Sequence, residues 1–181
     1  QAIYGSGCQI SEISMKGATV SPSKYDILFT GDWKDVTVDG YLEELTRLFY
    51  NSYPRLYQRW GNGTEPTTIT FKADNNYDGV AYCQGTTVCV STAYANSHPT
   101  DIGFFSHEIT HSVQQYSGKL NYGDDVAWWT ENMANYGGFR YFHWSNPKYV
   151  QIYEATDTSL QDWGYQQYRN NKWFFAYMDS K

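Results

Sequence analysis

No apolar run in this chain reaches the roughly 18 residues that a membrane-spanning helix requires, so no membrane span is expected. Positive charge is also scarce. Thirteen Lys and Arg stand against nineteen Asp and Glu, for a net charge of −6. That balance argues against nucleic acid or an anionic membrane surface as partner. Cysteine is sparse, at three, and no C-x-x-C pair exists, which sets aside a cysteine-ligated metal site. There is no internal repeat and no low-complexity linker, so residues 1–181 read as a single domain, long enough to bury a core. Charged residues make up only 18%, whereas aromatics reach 19% with 18 Tyr and 7 Trp. Solubility is therefore carried by Asn, Gln, Ser, Thr and Tyr, a composition that suits a robust extracellular protein.

The most informative stretch present is His107-Glu108-Ile109-Thr110-His111, an H-E-x-x-H motif. Histidines four apart lie one above the other on a helix face, so both imidazoles can reach one metal ion. Glu108 lies about 100° around the helix from His107, beside the metal rather than on it. A carboxylate there can take a proton from a metal-bound water. The competing reading is a surface helix that happens to carry two histidines. Ile102, Phe105, Ile109, Val113 and Tyr116 recur at three- and four-residue steps and predict an apolar stripe opposing the histidines. Thr100 or Asp101 is expected as the N-cap and Gly118 as the stop.

A third ligand must come from elsewhere. The metzincin extension would need Gly at position 114 and His at 117, where this chain has Gln114 and Ser117. Glu131 lies twenty residues beyond His111 on a second helix expected from Asp124 to about Trp144. Asn135 is one turn further along the same face, placed to bond a ligand histidine. Asp124 and Asp125 are the rival ligands, although acidic residues in a first turn more often cap the helix. His143 and His98 read as a packing or surface histidine and a loop histidine.

The segment from His107 to Tyr116, followed by Trp129-Thr130-Glu131-Asn132-Met133-Ala134-Asn135-Tyr136, resembles the plant basic secretory protein family. Its members are secreted zincin-type proteins with an H-E-x-T-H-x-x-Q core and then a segment close to E-G-x-A-D-Y. Asp78–Tyr82 and Val88–Ser91 resemble the family's paired strands, and Trp163-Gly164-Tyr165 and Trp173–Tyr177 its closing segment. The glutamate spacing is similar to that of thermolysin-like zinc peptidases. The resemblance implies Zn²⁺ held by His107, His111 and Glu131, with Glu108 as general base. Tyr165, in a family-like block, is the candidate oxyanion donor, against the reading of a half-buried core tyrosine. Asn135 departs from the family, which has aspartate there.

Secretion is expected on three signs. The chain begins at Gln1, as a trimmed product would, and Asn62-Gly63-Thr64 is a glycosylation acceptor. Cys83 and Cys89 flank a hairpin tip and would form a disulfide if the register brings them together, with Cys8 as an alternative partner.

Along the chain, strands are expected at Gln9–Met15, Tyr25–Thr30, Val36–Val38 and Thr67–Lys72, and a hairpin from Gly79–Cys83 and Thr87–Ser91. A helix from about Asp39, with Glu43 and Glu44 in its first turn, should break or kink at Pro54 and resume to about Trp60. Gly137-Gly138 should allow close helix packing, and Leu160–Asp179 reads as a final helix. The expected architecture is α+β and zincin-like: a mixed β-sheet whose cleft-edge hairpin packs on an active-site helix, with a second metal-ligand helix beside it. The expected function is that of a secreted, monomeric zinc peptidase, with an extended peptide or protein substrate lying along Gly79-Val80-Ala81. The alternative is a secreted zinc-containing binding or defence protein without turnover.

Overall fold

The computed structural model describes residues 24–116, 119 and 124–138. Among these, β1 (Asp26–Gly31), β2 (Thr68–Asp74), β3 (Ala81–Gln84) and β4 (Thr87–Ser91) form one mixed sheet in the order β1-β2-β4-β3. β1, β2 and β4 run parallel, and β3 closes the edge antiparallel to β4. The helices are α1 (Tyr41–Trp60), α2 (Thr92–Ser97), α3 (Phe104–Gln114) and α4 (Asp124–Gly138). Strands and helices share one core, so the mixed α and β class expected from the sequence holds.

Alternation along β2 sends Ile69, Phe71 and Ala73 to one face, all fully buried. Phe71 stacks on Phe105 of α3 with ring centroids 4.8 Å apart and meets Phe49 of α1 edge-on at 6.1 Å. α1 and α3 therefore share the same sheet face, and Phe105, Ile109 and Val113 commit the apolar side of α3 to it. Full burial of each such side chain stabilises by about 1.5–3 kcal/mol. This packing leaves the opposite side of α3 for His107 and His111.

Several expectations are corrected. Val36–Val38 is not a strand: a single 3₁₀ turn at Trp33–Asp35 precedes it. The Thr37 N–H, which a strand would spend on a neighbour, donates to Asn96 Oδ1 at 2.8 Å. α1 runs unbroken through Pro54. The donor lost there is outweighed by the burial of Leu48, Phe49, Tyr53 and Leu56 on either side. α2 was not foreseen, and its start is set by Ser91, whose Oγ accepts from the Tyr94 N–H.

α3 starts at Phe104, later than expected, because Asp101 takes the Tyr94 hydroxyl at 2.7 Å instead of capping. It ends at Gln115, in the left-handed region with φ 51°. The hairpin register sets Cys83 opposite Val88 and Cys89 opposite Tyr82. The two cysteines thus point to opposite faces of the sheet, both thiols are free, and no disulfide crosses this hairpin. Cys8, Gly118, Gln9–Met15 and Leu160–Asp179 lie outside the described residues.

Candidate metal centre

α4 crosses α3 closely because Gly137 has no side chain. A Cβ there would sit 2.6 Å from Thr110 Oγ1 and 3.0 Å from both Leu56 and Trp60. At Gly138 a Cβ would meet only ordinary contacts, at 3.5 Å or more. The close packing expected of the glycine pair therefore rests on Gly137.

That approach brings Glu131 to the histidines. His107 Nε2 and Glu131 Oε2 are 3.0 Å apart, and His111 Nε2 lies 3.5 Å from the same oxygen. The two Nε2 atoms are 3.1 Å apart. Among the described residues, His107, His111 and Glu131 form a group that could hold a metal ion. The side chains of the rival ligands Asp124 and Asp125, and all of Tyr165 and His143, lie outside the described residues. His98 is exposed, stacked on Tyr94 at 4.3 Å with Nδ1 against Ser97 Oγ. It is a loop histidine, as expected.

The His107 and His111 imidazoles are each held from behind by an amide. His107 Nδ1 donates to Asn135 Oδ1 at 2.8 Å, the contact expected from the one-turn step after Glu131. His111 Nδ1 donates to Gln114 Oε1 at 2.7 Å. Gln114 Nε2 donates in turn to the Thr130 carbonyl at 3.0 Å, and because a carbonyl only accepts, this orients the amide with its oxygen toward His111. With Nδ1 of each ring donating to an amide oxygen, both Nε2 atoms face the Glu131 carboxylate. Atoms this close can share a proton or hold a metal ion between them.

The electrostatics agree. Burial alone would lower the His107 pKa, but the Glu131 hydrogen bond, the charges of Glu108 and Glu131, and Asn135 together raise it. Burial pushes the Glu131 carboxyl up, yet its bonds to His107 and His111 hold it well below the ordinary carboxylate range. The site thus stabilises positive charge next to a carboxylate.

Glu108 stays out of this group. It is buried, 9% exposed, and burial raises its pKa against the pull of both histidines. The nearby Cys83 backbone N–H of β3 favours its ionised form. Glu108, His107, His111 and Glu131 line a cavity of about 780 Å³ that Ala81 and Cys83 also line. Of the stretch expected to face a substrate, Ala81 lines this cavity. The missing side chain of Gly79 is instead taken up by Tyr77, whose hydroxyl would sit 2.2 Å from a Cβ there.

Two contributors were missed in the sequence. Gln114 was legible through its three-residue step from His111, which puts both on one helix side. The Cys83 N–H carries no such signal, since a backbone donor depends on the hairpin lying against α3. No family model matches this chain, and no curated protein matches it either.

Proposed function

We propose that this chain is a secreted, zincin-like zinc peptidase. The observation that carries the reading is the placement of Glu108: buried, outside the group of His107, His111 and Glu131, and lining the same cavity as those three residues. Two imidazoles and a carboxylate are a donor set that zinc favours. The three candidate ligand atoms, 3.0, 3.1 and 3.5 Å apart, are close enough together for one small cation to meet all of them.

Zinc bound here would polarise a peptide carbonyl and lower the pKa of a coordinated water to about 7. Glu108 then takes the proton from the attacking water and passes it to the leaving amine. Its raised pKa suits it to both accept and release that proton. Among the described residues β3 is the terminal strand of the sheet, so an extended peptide can pair along it beside the candidate ligands.

A second reading, a zinc-containing binding protein without turnover, is favoured by one observation. Both ligand imidazoles lean on uncharged amides, which raise ligand basicity less than a carboxylate does. A buried carboxylate beside the metal has no use in such a protein. Digestion of a broad peptide library before and after chelation, with zinc then restored, tests the proposal. Cleavage that disappears and returns supports it, and absence of cleavage by the zinc-loaded protein favours the binding protein.

A further inference from the structure

We infer that Gln114 is a positioning residue that holds two of the three metal-ligating side chains at once, an inference that rests on the metal-site reading above. Its Oε1 accepts the His111 Nδ1–H at 2.7 Å and fixes that ring with Nε2 toward the site. Its Nε2 donates at 3.0 Å to the carbonyl of Thr130, the peptide group that leads directly into Glu131. Thr130 is fully buried, so the anchor on α4 is firm. One side chain therefore ties the tautomer of His111 to the placement of Glu131, across the seam between α3 and α4.

The residue type follows from the two partners. An imidazole N–H needs an acceptor and a carbonyl needs a donor, and a primary amide supplies both from one planar group. A glutamate would satisfy His111 but set a carboxylate oxygen against the Thr130 carbonyl. An alanine would satisfy neither. Asn135 acts on His107 without the Thr130 link, which makes His107 an internal control.

The test compares Gln114→Ala and Gln114→Glu in two measurements. The first is the tautomer of His111 and His107, read from imidazole ¹⁵N shifts of the metal-free protein at a pH high enough that both rings are neutral. The second is zinc affinity, by competition with a chelator of known strength. Gln114→Ala should release His111 from the Nδ1–H tautomer, leave His107 unchanged, and weaken zinc by about 10- to 100-fold, the usual cost of losing a partner behind a metal ligand. Gln114→Glu should keep the His111 tautomer but recover the affinity only in part. An unchanged tautomer and affinity in Gln114→Ala would overturn the inference. So would loss of the His111 tautomer in Gln114→Glu, whose carboxylate can still accept the Nδ1–H. Neither measurement uses turnover, so a wild-type protein that binds zinc and cleaves nothing sinks the peptidase reading while Gln114 keeps its assignment.

Discussion

His107 on α3 and Asn135 on α4 are joined by a 2.8 Å hydrogen bond from Nδ1 to Oδ1, and this bond turns the ring so that Nε2 faces Glu131. The acceptor is an uncharged amide, so it orients the imidazole without adding negative charge behind it.

Asn135→Asp should fold normally, keep the bond to Nδ1 and bind zinc at least as tightly. Changes at such positions are commonly felt as about 10- to 100-fold effects on affinity or activity. Chelator competition and a pH–rate profile would check this. Identical affinity and an identical profile would show that the charge of residue 135 does not reach the metal.

For the third ligand, Glu131→Ala should weaken zinc binding severely, whereas Asp124→Ala and Asp125→Ala should leave metal content near wild type. The basis is that Glu131 Oε2 lies within 3.5 Å of both histidine Nε2 atoms. Metal content measured after dialysis separates the two cases. Loss of metal in Asp124→Ala but not in Glu131→Ala would transfer the ligand role to the aspartate.

Gly137→Ala tests the seam between the helices. A methyl group would press on Thr110 Oγ1 at 2.6 Å, with Leu56 and Trp60 at 3.0 Å leaving no room to shift. The expected cost is about 1–3 kcal/mol of stability, with weaker zinc binding as α4 is pushed away. Gly138→Ala, where the contacts are ordinary, should be far milder. Denaturant melts of the two variants provide the comparison.

The metal-free and zinc-bound proteins should respond to pH in opposite directions. His107 has a raised pKa when folded, so its contribution is fully present below the ordinary histidine value of about 6.5 and is lost as pH rises through the raised value. Glu131 has a depressed pKa, so its contribution is present above the ordinary carboxylate value and is lost as pH falls through the lowered one. The metal-free protein is thus best served between the two, by protonated His107 against ionised Glu131. His111 and Glu108 also face this group. Zinc needs the histidines neutral, so the rise in Tm on adding zinc should grow as pH increases past the raised His107 pKa. Melts with and without zinc across that range decide the point, and a zinc-induced shift that shrinks with rising pH would contradict it.

What could be read in the sequence was what helix and strand periodicity determine. His107 with His111, and Glu131 with Asn135, follow from four-residue steps along single helices, and the apolar stripe of α3 tells which way the histidines face. β2 and β4 follow from their β-branched runs. Contacts set by remote residues were not legible. Thr37 gives its N–H to Asn96, 59 residues away, so Val36–Val38 leaves the sheet. The Cys83–Cys89 disulfide depended on a hairpin register that a shift of one residue decides, and the register observed sends the thiols apart. Gln114 was visible as part of a motif, but its second bond, to Thr130, exists only once α4 lies against α3.

The central claim is that Glu108 is the proton carrier and not a ligand. Glu108→Gln keeps the shape of the side chain, but it cannot take a proton from water. Zinc content and peptide hydrolysis measured on the same preparation test the claim most directly. The expected result is a full complement of zinc with hydrolysis abolished. Loss of zinc would make Glu108 a ligand, and retained hydrolysis would remove it from the chemistry; either would contradict the account.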